Sequence, residues 1–163
     1  QDMCRLQLHR RQDAILCTCD GVNYLTTPDR ARRFFRAACA QLKPGGALIF
    51  DVSTPEKLSG TLGDHTLGCQ EEDISYIWQN AYHPRTRTVD MRLSIFVRGE
   101  DGRYQRLEET QTQRAHTLEE LTEYLAEAGF ADIRAYGKLS LRAPRPGDER
   151  WHIRAVRPKE NAK

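Results

Sequence analysis

Residues 13–51 constrain this chain most: an apolar strand, a capped helix, a Lys-Pro-Gly-Gly turn and a second apolar strand follow without a break. Asp13-Ala14-Ile15-Leu16-Cys17-Thr18-Cys19 is nearly continuous apolar sequence, as expected of a parallel strand covered on both faces. Ala47-Leu48-Ile49-Phe50-Asp51-Val52 reads the same way. Between them Thr27 can cap a helix whose first position is Pro28, where a missing N–H costs nothing. Ala31, Phe34, Phe35, Ala38, Cys39 and Leu42 then recur at helical spacing and predict one buried face. The result is a βαβ unit with its helix laid on the sheet.

The bulk properties exclude more than they propose. A chain of 163 residues can build one domain with a real core. A formal charge of +2 spread over 29% charged residues gives no field strong enough to ask for nucleic acid or an anionic membrane. The densest arginine cluster (Arg30, Arg32, Arg33, Arg36) falls mainly on the polar side of the first helix and reads as a solvated face. No apolar run approaches membrane-spanning length. Five cysteines are an odd number at irregular spacing, without the paired Cys or His of a zinc site. Cys17 and Cys19 are expected to point to one face of the strand and pack in the core, with Cys39 on the helix face. Buried reduced thiols suit a cytoplasmic protein.

Beyond Val52 the pattern changes. Residues 54–58 could open a short helix that Gly60 and Gly63 would end. An antiparallel meander follows. Ile74, Tyr76, Trp78 and Tyr82 alternate along one strand, and Val89, Met91, Leu93, Ile95 and Val97 along the next. His83-Pro84-Arg85-Thr86 is the turn between them. Glu100-Asp101-Gly102-Arg103 is a hairpin signal, and residues 104–116 give a third, more polar strand. Its apolar face must pack against something. Thr117 and Glu120 form a capping box for a second helix lined by Leu118, Leu121, Tyr124, Leu125 and Ala128. Gly129 is its left-handed stop, with Phe130 packing back. Ile133, Ala135, Gly137 and Leu139 suggest a half-buried strand, residues 143–150 a Pro/Gly loop, and residues 151–156 a closing strand. Residues 159–163 read as a frayed tail.

The order of these pieces resembles the second half of a class I S-adenosylmethionine-dependent methyltransferase domain. The matching segments are Asp2-Met3 with Leu6 and Leu8, Asp13-Ala14-Ile15-Leu16, Asp20-Gly21-Val22-Asn23-Tyr24-Leu25, Leu42-Lys43-Pro44-Gly45-Gly46 with the strand after it, and Ala128-Gly129-Phe130. Gln12 departs from the aromatic residue usual in that family before the first acidic residue of the strand. The family's glycine-rich loop, and the acidic residue after its second strand, are not among these residues. The resemblance therefore implies that both lie upstream of Gln1 and that the chain is the carboxy-terminal part of a longer protein. The expected architecture is α/β: a partial Rossmann-like class I methyltransferase sheet with an inserted antiparallel β-meander. Residues 1–163 would form one incomplete domain, with a cofactor-side βαβ unit (1–52), a substrate-side insertion (66–116), and a closing helix and strands (117–158). The missing strands would pair with the edge of residues 13–19, which alone would expose unpaired backbone and an apolar face.

The implied cofactor is S-adenosylmethionine. Asp2 matches the acidic residue that takes the exocyclic amine of adenine, and Met3 the residue whose backbone N–H faces a ring nitrogen. By itself, without the resemblance, Asp2 reads as a solvated residue of a chain terminus. Cys19, Asp20, Asn23 and Tyr24 lie on the loop leaving the central strand, placed to hold the methionine end of the cofactor. Asn23 also suits a plain turn, since Asn tolerates left-handed backbone, and Tyr24 could simply pack beneath the site. Tyr76, Trp78, Arg150 and Trp151 are candidates for a substrate pocket, with core packing as their other reading. Tyr82, His83 and His116 could supply a base if the meander folds over the crevice, although each reads first as structural: Tyr82 half buried, His83 in a turn and His116 just before a helix cap. No single catalytic residue and no metal follow from the sequence. The implied reaction is in-line methyl transfer to N or O of a small molecule, with neither nucleic acid nor membrane as partner and the oligomeric state open. Two other readings remain: a non-catalytic methyltransferase-like binding subunit, and a doubly wound domain for another nucleotide ligand.

Overall fold

The computed structural model describes residues 1–159, so the part of the expected tail beyond Lys159 lies outside the described residues. Two four-stranded sheets share the chain. The first has the order β1-β2-β8-β7, with β1 (Gln12–Cys17), β2 (Leu42–Ser53), β7 (Ala131–Tyr136) and β8 (Arg150–Val156). β1 runs parallel to β2, and β8 runs antiparallel to both β2 and β7. The second sheet is the meander: β3 (Thr66–Gln70), β4 (Ile74–His83), β5 (Thr88–Arg98) and β6 (Tyr104–Arg114), antiparallel throughout.

The helix α1 (Pro28–Gln41) forms where the sequence places it. Thr27 accepts the Arg30 N–H, and Ala31, Phe34, Phe35, Ala38 and Cys39 are buried. Phe35 meets Phe34 and Phe50 at centroid separations of 5.4 Å, so the helix packs directly on β2. The second helix, α2 (Leu118–Glu127), has both arms of its capping box, and Gly129 (φ +93°) ends it so that the Phe130 N–H reaches the Leu125 carbonyl. Arg32 ties the two helices: its guanidinium lies 4.1 Å from the Tyr124 ring and pairs with Glu123 and Glu127. Thus one member of the expected solvated arginine face instead bridges helices.

Several expectations give way. β1 stops at Cys17, because Cys19 and Asp20 take left-handed backbone (φ +59° and +50°) that turns the chain off the strand; Cys19 is exposed rather than in the core. β1 is covered on one face only, and Leu16 is 67% exposed. β1 is also an edge of its sheet, as the resemblance implied. The Lys-Pro-Gly-Gly turn lies inside β2 as a bulge, with Gln12 opposite Leu42 and Ala14 opposite Ala47, and Gly45 at φ +82°. Gly60 does not end the short helix. The wide turn Lys57–Leu62 runs through it to Gly63. The meander has a fourth strand, β3, in which only Leu67 and Cys69 alternate, too short a pattern to read as a strand. Leu139 is not on a strand: it sits in the loop after β7, 86% exposed. No helix among the described residues is long and apolar enough to cross a membrane.

Candidate functional site

Both the β1–loop junction and the end of β2 open at the same edge of the first sheet, and two carboxylates meet there. Asp51 lies near the end of β2, 6% exposed, and its Oδ2 accepts the Asp20 N–H at 3.1 Å. Asp20 directs its own carboxylate to three donors: Gln113 Nε2 at 3.0 Å, Ser53 Oγ at 3.3 Å and Arg150 at 3.2 Å. Arg150 opens β8 opposite Ser53 and also pairs with Asp51. One guanidinium therefore bridges two acidic side chains. Consecutive left-handed non-glycine residues are costly, and these bonds hold the turn in place.

Behind this cluster a buried polar junction fastens the meander to the first sheet. Asn23 is completely buried; its Nδ2 donates to the carbonyls of Ser53 and Arg114, and its Oδ1 accepts the Ser53 N–H. Arg114 donates to His116 Nδ1 at 2.7 Å and to Glu120 at 2.8 Å, and Arg87 reaches Glu120 at 2.5 Å. His116 has no exposed surface. Burial, reinforced by the neighbouring Arg114 charge, pushes its pKa down to about 4, so the ring is neutral with Nδ1 as acceptor. Burial alone would raise the Glu120 pKa. The Thr117 N–H and the guanidiniums of Arg114 and Arg87 instead bring it to about 2.

In front of the cluster lies a pocket of about 190 Å³ between the first sheet's loop and the meander. Asp20 and Tyr24 face it from the loop, Lys57 and Leu62 from the wide helical turn. Trp78, Met91 and Leu93 form an apolar wall, and Glu109, Gln111 and Gln113 line it from β6. The Tyr24 hydroxyl donates to Gln111 Oε1 at 2.6 Å, and Gln111 Nε2 donates to Glu109, which ties the loop to the meander along the rim. Lys57 Nζ donates to Ser53 Oγ at 3.3 Å.

The sequence candidates divide on this geometry. Asp20, Tyr24 and Trp78 line the pocket, and Arg150 stands behind it through Asp20. Asn23 and His116 are sealed in the junction, and every polar atom of the Asn23 amide is bonded to protein. His83 sits at a surface turn and pairs with Asp90 at 2.9 Å. Tyr82 packs against the small apolar cluster that holds Leu58 and Val89, Tyr76 lines a shallow hollow on the outer meander, and Trp151 packs on the core of the first sheet. None of these six offers a base or a side chain to the pocket. Asp2 caps the 3-10 turn Met3–Arg5, its Oδ1 accepting the Cys4 N–H at 3.0 Å, and that N–H holds the carboxyl below its usual range. Met3 is half-buried near Gly21, where an added Cβ would come within 2.9 Å of Cys17 Sγ and 3.8 Å of Met3 Cε. Residues 2–3 thus flank the same loop as Cys19 and Asp20.

Asp51, Ser53, Lys57, Glu109, Gln111 and Gln113 were not anticipated. Asp51 carried a signal, since a carboxylate interrupts an otherwise apolar strand just before its end. Gln111 and Gln113 also did, by register: they oppose Met91 and Val89 on the apolar side of the meander.

No family model matches the chain. A protein of Bacillus subtilis (strain 168) named "Putative methyltransferase YqeM" is 35% identical over 147 residues, covering 90% of this chain and 59% of the relative. A crystal structure of an S-adenosylmethionine-dependent methyltransferase from Clostridium acetobutylicum superposes with a TM-score of 0.89 at 29% identity, over 98% of this chain and 63% of that one. S-adenosylmethionine-bound CalS10, an amino pentose methyltransferase from Micromonospora echinaspora, gives a TM-score of 0.73 at 22% identity, over 96% and 63%, a likeness of fold. The chain spans about 60% of the length of the relatives it matches.

Proposed function

We propose, on the premise that this chain belongs to the class I S-adenosylmethionine-dependent methyltransferase family, that it serves methyl transfer to a nitrogen or oxygen of a small molecule held under the meander. The pocket carries this reading: residues of the loop after β1 and residues of the meander line one cavity at the carboxyl edge of the sheet. In open α/β sheets ligands lie outside the carboxyl ends of the strands.

The residues present fit one side of S-adenosylmethionine. Asp2 is exposed, and its Oδ2 faces no donor among the described residues, which suits the exocyclic amine of adenine. Met3 adjoins the loop, and Cys19, Asp20 and Tyr24 would border the methionine end. Asn23 is left out of this assignment, because its amide is saturated within the protein. When bound, the cofactor supplies a methyl group already activated on a cationic sulfonium. The chain's part is then alignment and exclusion of water. Arg150 bridges the Asp20 and Asp51 carboxylates and offsets their repulsion, the Tyr24–Gln111 bond closes the rim, and the wall of Trp78, Met91 and Leu93 seats the acceptor. His116 moves no proton here, being neutral and sealed. The small volume and apolar wall favour a small molecule over a polymer.

The test is titration of the full-length protein with S-adenosylhomocysteine by calorimetry. Binding is expected, and Asp2→Ala should weaken it roughly tenfold, the scale of one hydrogen bond to a charged group. No binding would overturn the reading, and an unchanged Kd in the variant would remove Asp2 from the site.

A further inference from the structure

The pocket holds more hydrogen-bond acceptors than donors. Asp20 and Asp51 share the single guanidinium of Arg150, and Glu109 stands exposed on the rim. The one cation in the lining, Lys57, donates to Ser53. Gln113 gives an independent sign. It stands in the pocket wall, 3% exposed, with Nε2 donating to Asp20 Oδ2 at 3.0 Å. A carboxylate only accepts, so this bond fixes which end of the amide is nitrogen. Gln113 Oε1 is then left, shielded from solvent, with no donor among the described residues. Buried acceptors are nearly always paired, and one that is not calls for an explanation.

An acceptor-rich rim, an orphaned oxygen beside Asp20 and an aromatic wall share one complement. We propose that the pocket takes a small amine: a positively charged, N–H-bearing head received at Glu109 beside the Asp20 carboxylate, with a small shift of the buried Gln113 amide bringing Oε1 to it as a further acceptor, and an apolar body against Trp78, Met91 and Leu93. Trp78 adds a ring face that attracts cations, and charge-assisted hydrogen bonds favour the ammonium over a neutral hydroxyl. Calling this amine the methyl acceptor rests on the methyltransferase reading. The amine preference itself rests on the pocket.

Benzylamine and benzyl alcohol, equal in body and different in head, separate the two chemistries. Each is titrated at neutral pH into the full chain without cofactor, following the Trp78 indole N–H and the Gln113 side-chain amide by ¹⁵N–¹H spectra. Benzylamine is expected to shift both signals and to bind at least about tenfold more tightly than the alcohol. Gln113→Leu should weaken benzylamine about fivefold or more, and Glu109→Gln, on the exposed rim, about threefold, with the alcohol unaffected by the latter. Equal affinity for the two probes, or shifts that bypass Trp78 and Gln113, overturns the inference. If Gln113→Leu fails to fold, Glu109→Gln decides: an unchanged amine affinity overturns the proposal. Benzylamine binding without S-adenosylhomocysteine binding would sink the methyltransferase reading and keep the amine site. The reverse would sink the amine site alone.

Discussion

The two sheets are held by different means. β1-β2-β8-β7 rests on continuous apolar packing, in which Phe35, Phe50, Leu48, Leu121, Leu125 and Ile153 are all buried. The meander's buried apolar cluster lies at its root, where Val89 and Met91 meet Leu58 and Leu62; farther out Ile74, Ile77 and Leu107 are about half exposed. Its attachment to the first sheet is largely polar, through Asn23, Arg114, His116 and Glu120. Apolar burial is tolerant of direction, whereas hydrogen bonds fix position. The first sheet therefore supplies stability, and the junction sets where the pocket wall stands.

That division makes the sharpest demand on Phe35. Phe35→Ala removes a ring that touches both Phe34 and Phe50, and should cost about 3–5 kcal/mol in urea unfolding. A cost below about 1 kcal/mol would show that the first sheet is not the seat of stability, and the contrast would fail.

The junction answers to pH. The folded pKa of His116 lies near 4, below its ordinary 6.5. Between these values the unfolded chain binds a proton that the folded chain refuses, so stability falls as pH falls from 6.5 toward 4. The full gap corresponds to about 3 kcal/mol. Glu120 extends the same trend lower: its folded pKa of about 2 means that its stabilisation is complete above about 4.5 and fades below. Urea melts at pH 6.5, 5.5 and 4.5 should show the His116 part, and His116→Gln should flatten it over that window. An equally steep profile in the variant would move the titration elsewhere.

Much of this contrast was legible in the residues. The α1 face, both helix caps, the parallel pairing of β1 with β2 and the three long meander strands follow from local rules: period, cap chemistry and turn residues. What escaped was non-local. Nothing near Asn23 announces that Arg114, 91 positions away, would take its amide, so a turn residue and a ligand residue looked alike. His116 stayed among the possible bases because its burial is made by other elements. That Asp20 and Trp78 line the pocket was legible, because their place depends on a strand's end and a strand's face. Gln113 was legible only as a polar residue on an apolar face; its bond to Asp20, 93 positions away, was not. β1 reads both ways: its apolar run suits two covered faces, and the open Leu16 is the apolar face expected of this strand without its missing neighbours.

The smallest expected effect sharpens the comparison most. Leu107 lies on β6 opposite Ile95, 47% exposed, on the part of the meander beyond its buried root. Leu107→Ser removes little buried area, and exchanges at such positions stay within about 0.5 kcal/mol. Urea melts of both proteins at two concentrations tenfold apart check this. Coincident curves at both concentrations would leave the outer meander as a surface that only the root and the polar junction support. A loss above about 1 kcal/mol that grows with concentration would mean that copies of the chain cover Leu107, and the contrast between the sheets would then belong to the monomer alone.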